Sequence, residues 1–167
     1  MFRIDVQNLS WVQGGLACED YCAHGHVTAW IGQEVFADDC TVSSTALYLL
    51  KSLTEDHIIY EGQQMLPCCG HTMIARENGR LDTVDISGCD NGIDWSVLHE
   101  DDTVRLITCT GCETVLPLQE YKKTVFAFAD KIEAFYQRST KKAPLSDEFE
   151  QKGYTAFWNE WHRRRRG

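Results

Sequence analysis

Cysteine and histidine are the side chains in this sequence whose types and spacing point most directly to chemistry. The chain has eight cysteines and six histidines, and thiolate and imidazole are the ligands that zinc prefers in proteins. They are concentrated in three segments: Cys18, Cys22, His24 and His26; Cys68, Cys69 and His71; and Cys109-Thr110-Gly111-Cys112. The last segment has the spacing of half a zinc site. The regular spacing C-x₂-C…C-x₂-C, which would strongly indicate zinc, is absent from the sequence.

Strand geometry restricts which of these residues can share one ion. Residues 71–118 predict consecutive antiparallel strands, and one end of that sheet would collect Cys68, Cys69, His71, Cys89, Cys109 and Cys112. Neighbouring strands lie about 4.8 Å apart, so the first and fourth strands of a flat sheet are roughly 14 Å apart. Two sulfur ligands of one zinc lie less than about 4 Å apart. One site can therefore combine Cys68, Cys69 or His71 with Cys89, without Cys109. The alternative is a set of buried free thiols, because Cys is among the most buried residue types.

The sequence contains none of the common catalytic motifs. The sequence lacks H-E-x-x-H, G-x-S-x-G, a Walker loop and G-x-G-x-x-G. Cys–His–Asp sets can be assembled from Cys22, His24 and Asp20, or from Cys69, His71 and Asp90, but a chain this rich in Cys and His offers such sets by chance. Asp94 and His99 are five residues apart on a predicted strand, so they point to opposite faces. We predict no catalytic residues.

The segment from His71 to Leu118 must position most of these side chains. Asn78-Gly79 follows an apolar run, and Asn-Gly is a strong hairpin signal because both central residues need positive φ. Asp101-Asp102 and Thr110-Gly111 predict two further turns. The intervening residues alternate between apolar and polar, which is typical of antiparallel strands covered on one face. The segment therefore predicts a five-stranded meander.

Strands and helices are also predicted on both sides of the meander. Alternation predicts strands near residues 2–7 and 26–31, and helical spacing predicts helices at about 41–54 and 119–138. Ser146 can cap a last helix that carries an aromatic ridge of Phe157, Trp158 and Trp161. The expected fold is α+β, an antiparallel meander sheet covered on one face by helices. Residues 1–143 would form one domain, and the C-terminal helix of 144–167 would dock on it.

Composition limits the cellular setting. The chain has 167 residues, of which 43% are hydrophobic and 11% aromatic, which indicates a folded domain. The sequence has no apolar run of the roughly 18 residues that a membrane span needs, so we expect no membrane partner. Charged residues interrupt Met1–Val6, where a signal peptide would be apolar, and this predicts a cytoplasmic protein. Exposure of the aromatic ridge would favour a dimer, so the oligomeric state stays open.

Charge suggests what kind of partner the chain binds. The net charge of −9 opposes nucleic-acid binding, and the arginines of 163–166 fit a helix C-terminus, where cations complement the dipole. Acidic residues in predicted loops form the expected partner-binding set: Asp38, Asp39, Glu100, Asp101 and Asp102. We expect a small non-catalytic domain that binds a basic protein without a cofactor, as a bacterial immunity or inhibitor protein binds its enzyme. The alternative is a zinc-binding domain, structural or catalytic, that uses Cys68, Cys69, His71 and Cys89.

Overall fold

The computed structural model describes residues 1–11, 18–70, 72–77 and 79–167. The described elements, in chain order, are β1 (Phe2–Trp11), β2 (Ala23–Ile31), β3 (Glu34–Thr41), α1 (Val42–Lys51), β4 (Leu66–Pro67), β5 (Thr72–Ala75), β6 (Val84–Ser87), β7 (Gly92–Ile93), β8 (Trp95–Glu100), β9 (Thr103–Thr108), β10 (Glu113–Pro117), α2 (Leu118–Arg138) and α3 (Glu148–Arg166). All pairings among these strands are antiparallel. The α+β class is therefore confirmed.

The N-terminal sheet has the order β1-β2-β3. Apolar residues of β1 and β2 alternate with polar ones and are buried on one face: Phe2, Ile4, Val6, Val27, Ala29 and Ile31. Helices α1 and α2 pack against that face. Trp11 contacts Phe135 and Tyr136 of α2, with ring centroids 4.8 and 5.0 Å apart. The sequence predicted the first two strands, and β3 is an addition to that prediction.

The predicted meander differs from the structure in its continuity. Strands β5 and β6 form one pair, β8, β9 and β10 form a separate sheet, and β7 pairs with β4. The edge of β8 where β6 was expected is occupied by His57: its amide and carbonyl bond the carbonyl and amide of Val97, at 2.9 and 2.8 Å. Because those backbone groups are already satisfied, β6 cannot extend the sheet there. The predicted hairpin residue Asn78 lies outside the described residues.

Helix α2 forms where the sequence predicted it, and its buried stripe consists of Tyr121, Val125, Phe128, Ala129 and Ile132. Helix α1 begins after Thr41, which makes no side-chain cap. Ser43, within α1, accepts a hydrogen bond from the Ala23 amide at 3.1 Å. None of the helices in the described parts of the chain is both long enough and apolar enough to cross a membrane.

Helix α3 packs closely on β5. Asp147, and not Ser146, is its N-cap, accepting a hydrogen bond from the Glu150 amide at 3.0 Å. A Cβ atom on Gly153 would lie 1.9 Å from the Met73 carbonyl oxygen, so only glycine permits this approach. Of the predicted aromatic ridge, Phe157 and Trp161 are fully buried and Trp158 is partly buried.

Ion pairs anchor the arginine run at the end of α3. Glu160 is fully buried and accepts hydrogen bonds from the Val84 amide and from Arg164 Nε, both at 2.8 Å. Arg164 also pairs with Glu55, and Arg165 forms two hydrogen bonds with Asp130 at 2.5 and 2.7 Å. The run therefore holds α3 against its neighbours in addition to complementing the helix dipole.

Candidate functional site

Two short loops face each other between the strand pairs β4–β7 and β5–β6. Leu66 pairs with Ile93 and Pro67 with Gly92, and the amide of Cys68 extends this ladder with a hydrogen bond of 3.1 Å to the Asn91 carbonyl. On the far side, Thr72 pairs with Ser87. The residues from 68 to 70 therefore run opposite the residues from 88 to 91, at an interruption between the two ladders.

Three cysteine sulfurs meet at this interruption. The Cys68 and Cys89 sulfurs are 2.6 Å apart, and Cys69 Sγ accepts a hydrogen bond from the Cys89 amide at 3.1 Å. All three sulfurs lie within 4.8 Å of one another, and no other group of three or more Cys, His, Asp or Glu ligand atoms in the described residues is this compact. Cys68 is exposed, while Cys69 and Cys89 are partly buried. The fourth residue of the predicted metal set, His71, lies outside the described residues.

The local backbone explains how adjacent cysteines reach one point. In a regular strand, Cys68 and Cys69 would point to opposite faces, but the chain bends at Cys68 directly after β4. Gly88 allows the opposite loop to approach: a Cβ atom there would lie 2.5 Å from the Cys69 carbonyl oxygen and 3.0 Å from Gly70 Cα. A bend on one loop and a missing side chain on the other thus assemble the cluster.

A hydrogen bond between the Cys68 and Cys89 sulfurs couples the pKa values of these two thiols. Hydrogen bonds from Cys68, and then from Cys69, lower the pKa of Cys89 to about 7. The same hydrogen bond to Cys89 raises the pKa of Cys68 to about 12. The two sulfurs therefore titrate as a pair, in which the first proton leaves near neutral pH and the remaining thiol stabilises the thiolate. Thiolate is the form of cysteine that acts as nucleophile and metal ligand.

The remaining thiols are placed differently. Burial raises the pKa values of Cys22 and of Cys40 to about 12, so both stay protonated at neutral pH. Cys109 and Cys112 are exposed on the turn between β9 and β10. The carboxylate of Glu34 accepts hydrogen bonds from two threonines at that same turn.

The predicted acidic partner-binding residues lie on two different sheets. Asp38 and Asp39 are in strand β3, which corrects their prediction as loop residues: they pair with Val27 and His26 of β2. Asp39 also bonds His26 Nδ1 at 2.8 Å. Glu100 ends β8 and accepts hydrogen bonds from Arg105 at 2.8 and 2.9 Å; Asp101 and Asp102 form the exposed turn that follows. The structure therefore gives two separate acidic groups.

Two further His–Asp pairs were not predicted from the sequence. Asp94 is buried and accepts hydrogen bonds from His57 at 2.8 Å and from the Met65 and Tyr60 amides at 3.1 and 3.2 Å. His99 bonds Asp56 at 2.7 Å. Asp94 and His99 thus have separate partners. Asp94 lies between β7 and β8, and not on the strand that carries His99. Both pairs hold the segment after α1 against β8. No motif in the sequence predicts them.

Comparisons of the whole chain with family models, with curated proteins and with solved structures gave no match.

Proposed function

We propose that the chain binds a zinc ion through the sulfurs of Cys68, Cys69 and Cys89. The observation that supports this is the meeting of three thiols within 4.8 Å at one interruption between strands. In a tetrahedral site with zinc–sulfur bonds of about 2.3 Å, the sulfurs lie about 3.8 Å apart. The Cys68–Cys89 spacing here is 2.6 Å, and the three sulfurs all lie within 4.8 Å of one another. Rotation of the exposed Cys68 side chain can open the shortest spacing without moving a strand.

The fourth ligand decides what kind of zinc site this is. His71 follows Cys69 by two residues, and imidazole as the fourth ligand would give a closed Cys₃His set of the structural type. A water molecule in that position would leave the open coordination of a catalytic site. We propose the closed set, because His71 is only two residues from Cys69 in the chain. With either fourth ligand, an ion held by both loops would tie β4–β7 to β5–β6. Zinc would then contribute to folding, as structural zinc does in small domains.

Metal analysis tests this proposal. Untagged protein is stripped with a chelator under reducing conditions, reloaded with Zn²⁺ and measured by elemental analysis. We expect one zinc per chain, lost in single Ser variants of Cys68, Cys69 and Cys89. The matched control is Cys109→Ser/Cys112→Ser, which removes two exposed thiols on another sheet and should retain the ion. Full zinc content in the three single variants, or none in the wild-type chain, would refute the site.

His71 is tested with cobalt in place of zinc. Thiolate-to-cobalt charge-transfer absorption reports the sulfur ligands, and the visible ligand-field bands report four-coordinate geometry. We expect His71→Ala to keep the charge-transfer absorption and to weaken the four-coordinate bands, because only the nitrogen ligand is lost. Unchanged cobalt spectra and zinc affinity in His71→Ala would contradict the closed set and favour water as the fourth ligand.

A second candidate function rests on the distribution of charge. Residues 1–117 hold 18 Asp and Glu against 5 Lys and Arg, whereas residues 118–167 hold 7 against 11. We propose that the acidic part binds a basic protein, as an immunity or inhibitor protein does. Asp38 and Asp39 lie on β3, an outer strand of its three-stranded sheet. Carboxylates at such an edge would steer a cationic partner and speed its association.

Charge reversal and salt dependence test this second candidate. A basic partner captured from the native host is titrated against wild-type chain, Asp38→Lys/Asp39→Lys and Asp101→Lys/Asp102→Lys at several salt concentrations. We expect the association rate of the wild-type chain to fall at least about tenfold between low and physiological salt. At low salt, we expect a similar fall relative to wild type in whichever charge-reversal variant removes the acids that contact the partner. Glu148→Lys, an exposed change at the start of α3, is the control. A salt-independent rate, or equal rates for all variants, would contradict the proposal.

A further inference from the structure

The same three thiols carry a second inference, which uses the residues of the proposed zinc site but does not require that the ion be zinc. We infer that Cys68 and Cys89 are an oxidation site: a two-electron oxidant such as hydrogen peroxide joins them in a disulfide and so dismantles the metal site.

Geometry supports the pairing of Cys68 with Cys89. Their sulfurs are 2.6 Å apart, closer than the roughly 3.8 Å of two sulfurs on one zinc and within about 0.6 Å of a disulfide bond length. The two residues belong to opposing loops held by the Cys68 amide bond to Asn91. Small rotations of two side chains therefore lead either to a shared ion or to a covalent bond.

Three other cysteines, Cys69, Cys22 and Cys40, are less suited to this bond. Cys68 and Cys69 are adjacent, and a disulfide between them would close a small ring through their own peptide, which prefers to be planar and trans. Cys22 and Cys40 are 4% and 1% exposed, so an oxidant in solution does not reach them. Cys69 remains as the third thiol, held by the amide of Cys89 at 3.1 Å.

The chemistry balances with peroxide as the only co-reactant. One sulfur attacks peroxide, the oxygen–oxygen bond breaks, and the products are a sulfenic acid and one water molecule. The second sulfur attacks the sulfenic sulfur, the disulfide forms, and a second water molecule leaves. In the metal-free site the two thiols supply two of the protons of these water molecules; in the metal-bound site, where the ligands are thiolates, solvent supplies them. The two sulfurs supply two electrons, and a bound metal ion is released unreduced because two of its three thiolate ligands are gone.

Cys68 is the exposed member of the pair, so an oxidant in solution reaches the two sulfurs from its side. A thiol reductant would reverse the reaction by exchange, returning both thiols. Oxidation and metal binding would therefore be mutually exclusive states of one site.

Peptide mapping tests the inference. Zinc-loaded chain is treated with one equivalent of hydrogen peroxide and digested without reduction, while a chromogenic chelator measures free zinc. We expect a crosslinked Cys68–Cys89 peptide two hydrogens lighter than the sum of its parts, release of one zinc per chain, and reversal of both by dithiothreitol. Cys109→Ser/Cys112→Ser should behave as wild type, and Cys68→Ser should give no crosslink to Cys89.

The variant Cys69→Ala separates this inference from the proposed function. It removes a metal ligand but neither partner of the disulfide, so we expect weak zinc binding together with undiminished crosslinking. Crosslinking in a wild-type chain that never binds zinc would support the oxidation site and refute the metal site. Zinc binding with Cys68 and Cys89 still free after peroxide, or crosslinked to other cysteines, would refute the oxidation site and leave the metal site standing.

Discussion

Replacing Gly88 with alanine tests whether the approach of two loops creates the thiol cluster. The new Cβ would lie 2.5 Å from the Cys69 carbonyl oxygen, where ordinary contact begins at 3.4 Å. The loops must separate by about 0.9 Å, and the atoms that obstruct them belong to the backbone. Overpacking of this kind costs about 1–3 kcal/mol of the free energy of unfolding.

The same displacement should weaken the metal site. It lengthens the hydrogen bond from the Cys89 amide to the Cys69 sulfur. The amide does not bind the metal ion, but its hydrogen bond orients the sulfur that does. Loss of such supporting contacts lowers metal affinity about 10–100-fold. Zinc affinity is measured by competition with a chromophoric chelator, and stability by urea unfolding of the metal-free chain. The two measurements separate damage to the fold from damage to the site.

Gly79→Ala is the matched control. Gly79 has a φ of 72° and open space around its Cα, so alanine there strains the backbone without pushing neighbouring atoms. We expect it to lower stability by about 1 kcal/mol and to leave zinc affinity within twofold. If Gly88→Ala had the stability and zinc affinity of the wild-type chain, the described approach of the two loops would be wrong.

Three further changes test the packing around the site. Glu160→Gln should lower stability by about 3–5 kcal/mol, because it leaves Arg164 without its buried carboxylate; a drop below 1 kcal/mol in urea unfolding would contradict the buried pair. Gly153→Ala should cost about 1–3 kcal/mol and lower the melting temperature, and an unchanged melting temperature would contradict the contact of α3 with β5. Cys22 and Cys40 have pKa values raised to about 12 when folded and near 9 when unfolded. Their contribution to the free energy of unfolding is therefore complete below pH 9, and above pH 9 it falls by about 1.4 kcal/mol per thiol per pH unit. Measured between pH 8 and 10, the Cys22→Ala/Cys40→Ala variant should lack this fall in the free energy of unfolding.

Local patterns in the sequence were sufficient for the elements whose period is strong. The alternation of β1 and β2 and the buried stripe of α2 depend on neighbouring residues alone, and these elements form close to where they were predicted. Strand β3 was missed because Asp38 and Asp39 interrupt its apolar pattern. An outer strand can hold such residues, since backbone pairing with β2 supplies the order and the side chains of Asp38 and Asp39 are exposed.

Pairings between distant segments were the part that the sequence could not supply. The loop around His57 occupies the edge of β8, and this displaced β6 from the predicted meander. The proximity of Cys68 or Cys69 to Cys89 was predictable, because those residues flank neighbouring strands. The interruption that gathers three sulfurs was not predictable, since it depends on the missing side chain of Gly88 and on a bond to the backbone of Asn91.

The cover of the N-terminal sheet has a consequence for synthesis of the chain. The apolar face of β1 and β2 packs against α2, whose buried residues from Tyr121 to Ile132 leave the ribosome long after the hairpin. At about 5–20 residues per second, the roughly 100 residues from the end of β2 to Ile132 take about 5–20 seconds to synthesise, and α2 cannot cover that face before then. During this interval the nascent hairpin is a target for chaperones and for aggregation, and slower translation of the middle of the message should lower the yield of folded protein.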